Sequence, residues 1–170
     1  MYWRGHVGIA LFAYAPVAGA VRLAGEPELT VLGAAVAVAF STLPHLDHRL
    51  PVAHRGPTHT VAFAVVGGAF VALAAAVASL AGGGLALAAA TPAGTALPPW
   101  TPVFAGGVAA LALCSHVAGD AITPMGIRPF RPFSGWHLTL DLTPAANPSA
   151  NRLFLGIGVA AIALSVGLTP

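Results

Sequence analysis

Long apolar runs, broken by short polar interruptions, dominate the chain. Five of them reach the roughly 17–25 residues that a helix needs to cross the hydrocarbon core of a bilayer. They are Val7–Leu23, Leu29–Leu46, Thr58–Leu80, Val103–Ile122 and Pro148–Leu168. The pattern predicts an all-α integral membrane bundle of about five transmembrane helices, with residues 1–170 forming a single membrane-embedded domain. Local signals place some of the helix ends. Asn147 can cap the fifth helix, with Pro148 at its first position, and Thr58 is expected to cap the third. Gly82–Pro102, without charge and bounded by breakers, reads as a loop in which Leu85–Ala90 dips into the membrane. The first run follows a single Arg4 and has no convincing cleavage site, so it is expected to stay in the mature protein.

Composition agrees and narrows the classes further. Only 7% of the 170 residues are charged and 57% are hydrophobic, whereas a soluble domain carries about 25% charged residues to face water. A soluble globule and a disordered chain are both excluded. The single cysteine, Cys114, rules out a disulfide scaffold and a thiolate zinc cluster. A net charge of +2, from seven arginines, no lysine and five acidic residues, is too small for a nucleic-acid surface. The distribution of the arginines says more than their number. Arg4, Arg49, Arg55, Arg128, Arg131 and Arg152 share one side of the expected bundle, and Arg22 alone lies on the other. Arginine is enriched on cytoplasmic loops, so the amino terminus is expected inside. Trp3 and Trp136 then belong to the inner aromatic belt and Trp100 to the outer.

All seven histidines fall on that same side. His6 opens the first helix, and His45, Asp47 and His48 close the second. His54, Arg55 and His59 lead into the third, and His116 and Asp120 lie near the inner end of the fourth. His137 and Asp141 precede the fifth. His116 and Asp120 are an i, i+4 pair that projects from one helical face, with about 5–6 Å between side chains. An ionisable residue at that depth costs about 2.5–3.5 kcal/mol and calls for a partner. A cation is one such partner, and a hydrogen-bonded pair is the other reading. His45, Asp47 and His48 also read as a polar turn, and His54–His59 as a basic loop with a helix cap. Convergence of several segments on one face favours the metal. Imidazole and carboxylate without thiolate suit a divalent ion, whether zinc, manganese or iron, and the mixture alone does not choose between them. Trp136–Leu142 alternates with period two, which favours an interfacial segment for His137 and Asp141. Arg55, beside Gly56 at a helix start, is a candidate anion site. Arg128 and Arg131 serve equally as headgroup anchors or as substrate contacts.

The motifs resemble those of the YdjM-type family, identified as inner-membrane metal-dependent hydrolases of the LexA regulon. They are His6, Pro44-His-Leu-Asp-His48, His54-Arg-Gly-Pro-Thr-His59, His116-Val-Ala-Gly-Asp120, Thr123-Pro-Met-Gly126 and Pro132-Phe133. His45 stands where the family usually has an aspartate, and neutral Asn151 stands near an acidic position at the last helix. The order of candidate ligands is also similar, more remotely, to that of the zinc-dependent phospholipase C and P1-nuclease group, in which His-x-x-x-Asp pairs hold zinc. By that likeness His116 with Asp120, and His137 with Asp141, would be such pairs.

These readings converge on a hydrolase in the inner membrane, acting at its cytoplasmic face on a phosphoester or lipid headgroup through a metal-activated water. Asp47, His59, His116 and Asp120 are the first ligand candidates, with His6 and His45 next. His48 or His54 is expected as a supporting partner or proton shuttle, and Arg55 as a stabiliser of transition-state charge. Membrane lipids are the expected partners. Two other classes fit part of the pattern: a metal or proton conduit, and a non-catalytic scaffold. A conduit predicts ionisable groups along the whole path, and the outer halves of these helices contain none.

Overall fold

A computed structural model describes residues 1–80 and 97–168. It contains five long helices: α1 (Trp3–Leu23), α2 (Pro27–Phe40), α3 (Val61–Leu80), α4 (Thr101–Ala121) and α5 (Pro148–Gly167). Each is long and apolar enough to cross a membrane, α2 doing so together with the 3₁₀ segment Leu43–Arg49 that extends it. No strand occurs among the described residues, only an isolated antiparallel bridge between Ile127 and Leu138. The loop expected at Gly82–Pro102 lies mostly outside the described residues. Its last two residues are corrected, because Thr101 and Pro102 already belong to the first turn of α4, where a proline costs no hydrogen bond.

Two further ends differ from the sequence reading. Helix α1 begins at Trp3 rather than Val7, because Gly5 and His6 donate backbone hydrogen bonds to Tyr2 O. Thr60, not Thr58, caps α3: its Oγ1 accepts from Phe63 N at 3.1 Å. Thr58 instead contacts the ring of His59. The cap of α5 is where the sequence puts it, with Asn147 Oδ1 accepting from Ser149 N and Ala150 N.

Helices α1, α2 and α4 form the core. Tyr14 is fully buried between them and donates to the α2 backbone at Leu29 O and Thr30 O, 3.0 and 3.1 Å away. Helix α5 packs on α1, and α3 on α4. The α3–α4 approach is close enough that a Cβ on Gly106 would stand 2.5 Å from Gly68 O and 2.6 Å from Ala72 Cβ. Small residues that let backbones meet are the usual means of association in lipid, where burial of apolar surface gives no drive. The outer faces of α3 and α5 stay apolar and exposed, with Val66, Phe70 and Leu73 on one and Leu153, Ile157 and Leu164 on the other. Antiparallel packing brings the start of α1, the end of α2, the start of α3, the end of α4 and the start of α5 to one end of the bundle.

Candidate metal centre

That end holds six of the histidines and both membrane aspartates. The 3₁₀ segment Leu43–Arg49 carries His45, Asp47 and His48, and a second, Pro57–His59, carries His59. Seven residues of 3₁₀ helix is long for this geometry, which presents side chains at i and i+3 in register. His6 projects from the first turn of α1, and its ring stacks on that of His116, with centroids 3.7 Å apart and planes 12° apart. His45 stands edge-on to both, at 5.1 and 4.7 Å.

Asp120 is the centre of the group and is fully buried. Its Oδ1 receives the guanidinium of Arg55 at 3.0 Å and the amino group of Met1 at 2.9 Å, and it lies 3.5 Å from His6 Nε2. Its Oδ2 faces His59 Nε2 at 3.4 Å and His116 Nε2 at 3.5 Å, without a hydrogen-bond partner. The tautomer of His116 is fixed, because its Nδ1 sits 2.7 Å from Ser41 O and a carbonyl can only accept. In the neutral ring the inward-pointing Nε2 is therefore the nitrogen without a proton. The ring of His59 is positioned by Thr58 Oγ1, 3.0 Å from Nδ1, a hydroxyl that can donate or accept.

A second group lies outward of the first. Asp47 is buried, yet it accepts from His54 Nδ1 and Arg55 N, both at 3.0 Å, through Oδ2. Its Oδ1 has no hydrogen-bond partner and lies 4.0 Å from His48 Nε2. Asp47 Oδ2 is also 3.5 Å from His59 Nδ1, which joins the two groups. The side chains of His48 and His54 are 59% and 39% exposed, and they line, with His45 and Arg55, a cavity of about 400 Å³.

Three sets of side chains bring ligand atoms within 4.8 Å of one another: His59, His116 and Asp120; His6, His45 and His116; and His45, Asp47, His48 and His54. Every candidate ligand and His54, Arg55 and His48 thus stand together. His137 and Asp141 stand apart. The segment that carries them is extended along the end of α4, where Leu140 N donates to Ala121 O, and His137 Nε2 approaches Met125 O at 3.1 Å.

Arg55 is bound on several sides of the cluster. Its Nη1 donates to Thr123 Oγ1 and Gly126 O, its Nη2 to Asp120, and its backbone N to Asp47. It ties both carboxylates to the Thr123–Gly126 turn and positions Asp120. Gly126 adopts φ +58°, and a Cβ there would meet Leu138 O at 2.5 Å, so the turn needs glycine. Thr58 and Ser41 were missed as orienting groups. Thr58 reads equally well as a cap, and the contribution of Ser41 is a backbone carbonyl, which every residue type supplies.

Five membrane-length helices with a buried histidine–aspartate cluster at one end define a polytopic α-helical membrane protein with a candidate metal centre. The chain belongs to the YdjM inner membrane protein family, whose sequence profile matches residues 1–169. No curated protein and no solved structure matches it.

Proposed function

We propose that the protein is a membrane-bound, metal-dependent hydrolase that acts on a phosphoester at headgroup depth on the cytoplasmic face. The carrying observation is the convergence of three buried atoms without hydrogen-bond partners, His59 Nε2, His116 Nε2 and Asp120 Oδ2. With both rings neutral and the proton on Nδ1, two of these are lone-pair nitrogens and the third is an anionic oxygen, an arrangement that a positive charge among them would satisfy. That donor set fits a divalent cation, with zinc first and manganese or iron next. His6 and His45 flank this set, and Asp47 with His48 and His54 extends it toward the cavity.

Bound there, a divalent ion supplies a water acidified toward a pKa of about 7 and a Lewis acid for the phosphoryl oxygen. The side chains do the remaining work. Ser41 O and Thr58 Oγ1 keep the two imidazoles turned inward, as outer partners of ligands commonly do. Arg55 holds Oδ1 of Asp120 and so aims Oδ2 at them. His54, bonded to Asp47 through Nδ1, has Nε2 left to take or deliver a proton in the cavity.

Metal analysis of the purified full-length chain tests the reading, followed by a phosphodiester and lipid-hydrolysis screen with chelator controls. The expected result is bound metal in the wild type, little in Asp120→Ala or His59→Ala, and hydrolysis that stops with chelator. A wild type that cannot be loaded with zinc, manganese or iron rejects the proposal.

A further inference from the structure

Beside this cluster, the starts of α1 and α5 are tied together by the buried side chain of Asn151. Its Oδ1 accepts from Tyr2 N at 3.0 Å, and Gly5 lies against the same side chain. Arg4 and Arg152 flank that junction, so they stand at one level of the bundle, and both are exposed. Neither has a carboxylate partner among the described residues, where the ion pairs involve Asp47 and Asp120 alone. The Arg4 guanidinium stands 5.4 Å from the centroid of the Trp3 ring.

Between the two arginines runs a groove of about 740 Å³, lined by Trp3 and by Leu155, Gly156 and Val159 of α5. No heavy atom lies within 4 Å of where a Cβ on Gly156 would be, so its missing side chain widens the groove rather than admitting a neighbouring helix. Trp3 also lines the cavity shared by His45, His48, His54 and Arg55. One residue is therefore the common wall of an apolar groove on the membrane flank and the polar cavity beside the metal ligands.

We propose that this groove docks an anionic phospholipid, with its phosphate between Arg4 and Arg152, an acyl chain along α5, and its headgroup directed past Trp3 toward His48 and His54. Charge decides the occupant. A second copy packed symmetrically would bring the same two arginines onto the patch, whereas a lipid phosphate neutralises them at the depth where basic side chains meet headgroups. As a binding site the groove stands by itself; as a statement of substrate class it rests on the hydrolase reading.

The test uses metal-free, full-length protein in phosphatidylcholine nanodiscs containing spin-labelled phosphatidylglycerol, and it measures the relative association constant for the immobilised label. An arginine near a membrane surface is worth about fivefold in anionic-lipid binding, so Arg4→Gln with Arg152→Gln should lower the constant about thirty-fold. Gly156→Leu should lower it by closing the groove, and Arg128→Gln, elsewhere on the same end, should leave it unchanged. An unaltered constant in the double variant overturns the proposal. So does an equal loss in Arg128→Gln, which would mean diffuse charge, or a dimer that forms at the expense of the label. Lipid held without any phosphoester cleavage by the metal-loaded protein removes the hydrolase reading and leaves the groove. Cleavage of soluble phosphodiesters without lipid retention does the reverse.

Discussion

Two neighbouring threonines separate the work of orienting a candidate ligand from the work of building a helix. Thr58 Oγ1 lies 3.0 Å from His59 Nδ1, and Thr60 Oγ1 caps α3 through Phe63 N at 3.1 Å. Thr58→Val keeps the shape of the side chain and removes the hydroxyl. The nearest remaining acceptor for Nδ1 is Asp47 Oδ2 at 3.5 Å, and a ring turned toward it carries Nε2 away from Asp120 Oδ2. Loss of such an outer partner typically lowers metal affinity about 10–100-fold, equivalent to about 1.4–2.8 kcal/mol. Thr60→Val should instead cost about 1 kcal/mol of stability through the lost cap and leave metal affinity alone. Thr58→Ser, which restores the hydroxyl, should bind metal as the wild type does. Competition against a chromogenic chelator measures the affinities in detergent, and thermal unfolding of the metal-free chains measures the stabilities. Equal affinities for Thr58→Val and the wild type, or equal losses in the two valine variants, would refute this account of His59.

Four other perturbations have defined outcomes. Asp120→Ala leaves the Arg55 guanidinium without its carboxylate 3.0 Å away and should destabilise the metal-free protein by about 3–5 kcal/mol in chemical unfolding, as for other broken buried pairs. Arg55→Lys keeps the charge, but an ammonium cannot span Asp120, Thr123 and Gly126 together. It should lower both unfolding temperature and bound metal, because the planar fork is what joins these groups. Asn151→Asp replaces the amide that donates to Ala145 O and Asn147 O, at 3.1 and 2.6 Å, with a carboxylate. About 1–3 kcal/mol should be lost near neutral pH, and unfolding followed by circular dichroism reads it. Gly106→Val drives a side chain into Gly68 O and Ala72 and should cost about 1–3 kcal/mol. Gly107→Val, which meets no heavy atom within 4 Å, is the neutral comparison by the same assay.

Helix number and approximate limits were legible because bilayer thickness sets a length that apolar runs either reach or miss. The ends were less so, and Thr58 shows why. A threonine before an apolar run is a fair cap, but the chain has two within three residues. Only the three-dimensional path decides that Thr60 meets Phe63 N while Thr58 meets an imidazole. The cluster was legible for a similar physical reason. In lipid a polar side chain has no water to fall back on, so ionisable residues on one side of several helices have few places to go except toward one another. His137 and Asp141 keep the spacing of a helical pair in the sequence, but period two marks the extended backbone that separates them from the site. Arg55 illustrates the limit of reading charge alone. Its positive φ of 54° brings its own N–H to Asp47 while its side chain reaches Asp120, and no motif encodes that double contact.

The cluster also has an energetic logic. Eight buried side-chain atoms among the described residues have no hydrogen-bond partner: two on His6, one each on His45, His59 and His116, one oxygen each on Asp47 and Asp120, and Arg55 Nε. At about 1–3 kcal/mol for each such group, the cost is comparable with the entire stability of an ordinary domain, about 5–15 kcal/mol. A scaffold role would not repay it, because apolar side chains of similar size would pack these helices at least as well. The orphans are also not random. All eight belong to the residues that meet around Asp120 and Asp47, whereas Tyr14 and Thr30, deep in the core away from the cluster, reach carbonyls with their hydroxyls. A bundle that satisfies its core hydroxyls while leaving inward-facing imidazoles and carboxylates unpaired is what the proposed cation site requires.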